Sequence, residues 1–133
     1  MKKTISFPSE IESVRYAENM VDEISDTYNF NGEMYGNVLV SVVEGVNNAI
    51  IHGNRLDSTK KINFTCEIKK TFVIFTIKDE GDGFRYSDVP DPTAPNNINN
   101  PHGRGIFIIS HLADEINYFD NGTKLEMKFI LKK

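Results

Sequence analysis

Apolar residues recur along the chain in two different periods, and the change between them divides it into elements. Ile11, Val14, Ala17, Val21 and Ile24 fall at spacings of three and four, the repeat of one buried helical face. Residues 3–7 read as a short strand ahead of that helix. Ser9, with Glu12 three residues on, predicts an N-cap and its capping-box partner. After a break at Asn29–Gly32, a second helix is predicted from about Glu33 to His52. Its apolar residues (Val38, Leu39, Val42, Val43, Val46, Ala49, Ile50) cover much of its circumference, which predicts a central position.

The period then changes to two. Ile62, Phe64, Cys66 and Ile68 alternate with Asn63, Thr65, Glu67 and Lys69 as in a half-buried strand, and Val73, Phe75 and Ile77 continue the pattern in the next one. From Arg85 to His102 both periods fail. Pro90, Pro92, Pro95 and Pro101 stand among Asp and Asn, which predicts a long irregular loop. A third helix is expected from about Gly105 to Ala113. A closing hairpin pairs Glu115–Asp120 with Thr123–Lys132 around Asn121-Gly122, its inner face marked by Leu125, Met127, Phe129 and Leu131. The sum is an α+β fold, a two-layer α/β sandwich. Its sheet is mixed but mostly antiparallel, with helices on one face and solvent on the other. No repeat or linker-like break interrupts the chain, so residues 1–133 are read as a single domain.

Composition narrows the partners. Lys and Arg total 15 against 19 Asp and Glu, a net charge of −4 that repels a phosphate backbone, so direct nucleic-acid binding is not expected. Cys66 is the single cysteine, which excludes an internal disulfide and a Cys-rich zinc site. The opening MKKTISFPSE lacks the apolar stretch of a signal peptide, and no apolar run approaches the ~20 residues of a membrane span. The expectation is a cytoplasmic protein without a membrane association.

Four segments carry candidate chemistry. On the second helix Glu44, Asn48 and His52 stand at successive i, i+4 positions, a polar stripe on an otherwise apolar helix, with neighbouring Cβ atoms about 5–6 Å apart. A carboxamide oxygen is a hard neutral ligand suited to Mg²⁺, and an adjacent carboxylate can take a proton from a hydroxyl. Taken alone, the stripe reads rather as solvated residues on an exposed edge. Asp79-Glu-Gly81-Asp-Gly83 follows an apolar strand. An Asp there can accept a hydrogen bond from an exocyclic amine, while the glycines permit close backbone approach. The bland reading is a tight turn. A calcium loop is excluded because its twelfth position is Pro90. His102-Gly103-Arg104-Gly105 leads into the third apolar helix, whose first amides can hold phosphate oxygens while Arg104 adds a forked cation. No G-K-[ST] follows, so this is not a Walker loop. Gly122-Thr123 starts the last strand, where the Thr hydroxyl can bond a base or a water, although a plain hairpin turn explains it as well.

In this order the four segments resemble the N box, the two glycine boxes and the terminal G-T of the Bergerat-fold ATPases, a superfamily that includes type II topoisomerases and sensor histidine kinases. E-G-V-N-N-A-I-I-H-G-N, D-E-G-D-G-F and G-R-G-I-F-I-I look most like the bacterial anti-sigma factor serine/threonine kinases, over about Ser9 to Leu131. The resemblance implies ATP and Mg²⁺ as cofactors, Glu44 as general base and Asn48 as metal ligand. It implies that Asp79 binds the adenine amine in a pocket shaped by Gly81 and Gly83. Gly103, Arg104 and Gly105 would meet the phosphates beneath a lid of about residues 85–102, with Thr123 supporting the base. His52 follows the stripe as a candidate lining residue, and His111 is expected to pack locally. The implied partners are an antagonist protein phosphorylated on Ser or Thr, a sigma factor, and a second copy of the chain in a homodimer. The chain shows neither a helical hairpin bearing a phosphorylatable His nor a transducer domain, so a free-standing kinase acting on a separate protein is expected. The alternative is a non-catalytic module in which ATP or ADP sets affinity for a protein partner. The lid carries few positive charges before Arg104, so no partner-contact residues are assigned to it.

Overall fold

The computed structural model describes residues 1–81 and 101–131, with side chains in the second segment from Gly105 onward. The chain runs through β1 (Lys2–Pro8), a 3₁₀ turn (Ile11–Ser13), α1 (Val14–Tyr28) and α2 (Gly32–Asn48), followed by a π-turn (Ala49–Gly53). Then come β2 (Lys61–Ile68), β3 (Phe72–Lys78), α3 (Pro101–Leu112), β4 (Glu115–Phe119), a short turn (Asp120–Gly122) and β5 (Lys124–Ile130). The five strands form one sheet in the order β1-β2-β3-β5-β4, and every pairing is antiparallel.

The period-two pattern decides which sheet face is covered. Ile62, Phe64 and Cys66 of β2, Val73, Phe75 and Ile77 of β3, and Leu125, Met127 and Phe129 of β5 are buried. They join Ala17, Met20, Val21 and Ile24 of α1 and Val38, Val42 and Val46 of α2 in one core. Phe64 stacks on Phe75, which meets Phe129 edge-on at a centroid separation of 6.1 Å. The opposite face is polar, with Asn63, Thr65, Thr76, Lys78, Lys124 and Glu126 lining a shallow groove.

Several local expectations are corrected. Ser9 does not cap the first helix. Its hydroxyl donates to the Lys60 carbonyl at 2.7 Å, so tertiary pairing has taken the group that would otherwise cap. The helix begins instead through a 3₁₀ turn, which leaves Ile11 54% exposed and puts Met20 in the core. α2 is capped by Asn31, whose Oδ1 accepts the Met34 N–H at 2.8 Å. The regular helix ends at Asn48 rather than His52. α3 starts at Pro101, four residues earlier than expected. Proline's fixed φ and missing N–H suit a first helical position, so a residue read as part of a loop opens the helix. The expected turn at Asn121-Gly122 is present, with φ of 59° and 86° after Asp120 at 53°.

Candidate functional site

The polar stripe of α2 reaches its place because the helix lies close on the sheet at Gly45. A Cβ there would stand 2.7 Å from Ile77 Cδ1 and 3.2 Å from Leu125 Cδ2, nearer than carbon atoms pack comfortably. The neighbouring face of α2 then meets α3 at a second glycine. A Cβ on Gly105 would lie 2.8 Å from Asn48 Nδ2, 3.1 Å from Glu44 Oε2 and 3.3 Å from Asn48 Oδ1. Glu44 and Asn48 are each half-buried, and the buried Asn48 Nδ2 has no hydrogen-bond partner among the described residues. An unpaired buried amide costs about 1–3 kcal/mol, and such groups call for an explanation.

Because α3 opens at Pro101, Gly103, Arg104 and Gly105 lie within its first turns and not in a loop before it. The amides left unpaired by a helix start therefore belong to the turn containing Gly103, while Gly105 serves as the spacer against Glu44 and Asn48. The Arg104 side chain, Gly83 and residues 85–100 of the expected lid lie outside the described set. His102 stands in α3.

A second cluster forms where α2 widens. The Asn54 N–H donates to the Ala49 carbonyl at 2.8 Å, a five-residue span typical of the π-turns often found at functional sites. The wider turn interrupts the i, i+4 stripe between Asn48 and His52. His52 is half-buried in it, and burial lowers its pKa. The turn ends at Gly53, which presses on Asp79: a Cβ on Gly53 would overlap the Asp79 carboxyl, with Cγ at 2.6 Å. A Cβ on Gly81 would in turn overlap the Gly53 carbonyl. Both glycines are therefore demanded by close approach.

Asp79 is only 7% exposed. Its N–H donates to the Thr123 carbonyl at 2.9 Å, and its Oδ1 accepts the Gly81 N–H at 2.8 Å. Burial raises its pKa, opposed by the Gly81 N–H and by the charges of Lys78 and Lys60. The Thr123 hydroxyl is engaged within the hairpin turn, donating to the Asp120 carbonyl at 2.8 Å and accepting from Lys78 Nζ at 2.6 Å. It is the Thr123 backbone that touches Asp79. His111 packs on Phe107, its Nδ1 2.9 Å from the Phe107 carbonyl. Gly53, Asn54, Arg55, Asp57, Lys60 and Gly81 line a cavity of about 280 Å³ beside Asp79.

The two clusters share one helix. The π-turn that ends at Gly53 follows directly on the regular helix that ends at Asn48, so the two residues stand five apart in sequence. Sequence reasoning missed Gly45, Gly53 and Asn54. Each stands inside or beside the stripe motif, but only a close approach from a distant strand or loop gives it a role.

A five-stranded antiparallel sheet with three helices matches the fold of the histidine kinase-like ATPases. The family described as histidine kinase-like ATPase domain matches residues 7–129, and the chain belongs to it. Among curated proteins it is similar to the serine-protein kinase RsbW of Staphylococcus epidermidis, 27% identical over 132 residues, covering 91% of this chain and 83% of the relative. It is also similar to the serine-protein kinase RsbW of Oceanobacillus iheyensis, 24% identical over 115 residues, covering 82% and 73%. The crystal structure of the RsbU and RsbW domains of a Mycobacterium tuberculosis protein shares the fold, with a TM-score of 0.69 at 14% identity. That match covers 99% of this chain, which spans 32% of the solved one.

Proposed function

We propose that the chain is an anti-sigma factor-type protein kinase that binds Mg-ATP and transfers the γ-phosphoryl group to a Ser or Thr of a separate antagonist protein. It would also regulate a sigma factor. The observation that carries this reading is the meeting of Glu44, the Asn48 carboxamide with its buried, unpaired nitrogen, and the Gly105 backbone near the start of α3. The RsbW likeness adds the reaction class.

In this reading Asp79 accepts the adenine amine. The first-turn amides of α3, Gly103 among them, and the Arg104 guanidinium hold phosphate oxygens, and Glu44 orients the acceptor hydroxyl and takes its proton. Positioning and fixed charge supply most of the rate. Glu44 and Asn48 offer hard oxygens on adjacent turns. Among the described residues no three His, Cys, Asp or Glu side chains gather into a metal cage. That donor set fits Mg²⁺, which takes few protein ligands and keeps water and phosphate oxygens in its other positions. Asn48 would hold the ion, which when bound offsets charge on the phosphates.

Labelled ATP incubated with candidate antagonist proteins, read by mass spectrometry for phosphoserine or phosphothreonine, tests the proposal. Glu44→Ala is expected to lower transfer by about 10²–10⁴-fold while ATP affinity stays within a few-fold. Equal loss of binding and transfer would remove Glu44 from the role of base. Tight ATP binding with no transfer to any antagonist would favour the non-catalytic switch.

A further inference from the structure

Asn54 is 1% exposed and uses its whole carboxamide. Oδ1 accepts the Glu80 N–H at 2.7 Å. Nδ2 donates to Ser9 Oγ at 2.7 Å and to the Lys61 carbonyl at 3.1 Å. The network closes on both sides: Ser9 Oγ donates to the Lys60 carbonyl, and Glu80 Oε2 accepts the Lys61 N–H at 2.5 Å. One side chain thus ties the end of β1, the start of β2, the π-turn and the loop after β3.

The oxygen end matters for chemistry. The Glu80 amide it holds belongs to the peptide bond leaving Asp79, and Asn54 directly follows Gly53, whose backbone presses on the Asp79 carboxyl. Among the described residues, the hydrogen bond that anchors the Asp79 side chain comes from the Gly81 N–H. Where its carboxylate points is set by where residues 79–81 sit against residues 53–54, and the Asn54 oxygen is the side-chain acceptor that holds the Glu80 N–H there. The nitrogen end instead bonds Ser9 and the Lys61 carbonyl, and neither of those two contacts touches residues 79–81 directly.

We infer that Asn54 is a positioning residue for base recognition. Its Oδ1 aligns Asp79 toward the nucleotide base, and its Nδ2 separately straps β1 to β2. The inference rests on the proposed ATP-binding role of Asp79 and names how that role is tuned. A buried acceptor held to one orientation discriminates strongly between an amine and a carbonyl on the base, because a mismatched partner leaves polar groups unpaired. Loosening Asp79 should therefore weaken ATP binding and narrow the preference for ATP over GTP, with little change in the transfer step once ATP is bound.

The experiment compares Asn54→Ala, Asn54→Asp and Ser9→Ala by titration with ATP and with GTP, well below each variant's unfolding midpoint. Saturating-ATP phosphotransfer is measured in parallel. Asn54→Ala is expected to raise the ATP Kd at least tenfold and to shrink the ATP/GTP ratio by a similar factor, with kcat within threefold. Asn54→Asp keeps an acceptor for the Glu80 N–H and is expected to recover most of the ATP affinity. Ser9→Ala is expected to lower the Tm while leaving Kd and the ATP/GTP ratio within twofold. If Asn54→Ala does not fold, Asn54→Ser carries the same expectation.

An alanine or serine variant with Kd and selectivity like the unaltered protein would overturn the inference, as would a Ser9→Ala protein that loses selectivity equally. If the unaltered protein binds no ATP, it is the proposed function that fails. If it binds ATP and Asn54→Ala binds as well, only the role of Asn54 fails.

Discussion

Asp79, proposed to accept the adenine amine, carries a cost in stability. Burial is the main cause of its raised pKa, so the native chain holds the proton more tightly than the unfolded chain does. The cost of ionising it is therefore fully present above the folded-state pKa and disappears as pH falls below the unfolded value, about 4. Asp79→Asn keeps an oxygen for the Gly81 N–H and removes the buried charge. We expect a higher Tm at pH 7, a gain that shrinks as the pH is lowered toward 3, and weaker ATP binding. Thermal unfolding across pH checks the first part and nucleotide titration the second; a Tm gain independent of pH would contradict the assigned cause. Asp79 was legible as a candidate because it follows an apolar strand. Asn54 was not, since an Asn after a Gly looks like any turn residue until β1, β2 and the loop after β3 close around it.

At the scale of elements, the contact between α2 and α3 depends on having no side chain at Gly105. Alanine is the better helix former by about 1 kcal/mol, so local propensity alone favours Gly105→Ala. The added Cβ would nonetheless press on the Asn48 carboxamide and the Glu44 carboxylate. We expect a folded protein of near-unaltered Tm whose ATP affinity falls at least tenfold, measured by circular dichroism and by titration with a fluorescent nucleotide. Unchanged affinity would mean that the close approach does not shape the site. The glycine pair around position 104 stood out in the sequence as a phosphate loop. Its division of labour did not, because Pro101 moved the helix start upstream and turned Gly105 into a spacer.

At the scale of the molecule, Cys66 reports on the whole core. It is fully buried on β2, and burial pushes its thiol up to about 12. The reactive form is the thiolate, and in the native state it is both inaccessible and scarce. A disulfide reagent at pH 8 is expected to leave the folded protein untouched and to label it fully in denaturant. Slow labelling under native conditions would follow the unfolded population, so ATP at 100 times its Kd should slow it about 100-fold. Labelling unaffected by any concentration of Mg-ATP would count against a nucleotide site in the native state.

The hydrophobic periods of the chain determined the order of its elements and which face of each strand is covered. A side chain's preference for water or core is a property of the residue and its spacing, readable without knowing what lies opposite. The α+β sandwich and its helical layer on one side follow from that local information, while Glu44, Asn48 and Asp79 were singled out by motifs that resemble those of the Bergerat-fold ATPases. What only the tertiary structure decided is which distant segments pack around these groups. Gly45 settles α2 on β3 and β5, Gly105 admits it to α3, and Asn54 joins residues 9, 61 and 80. Most of those contacts span tens of residues, and a glycine or an asparagine takes such a role only when another segment arrives within bonding distance.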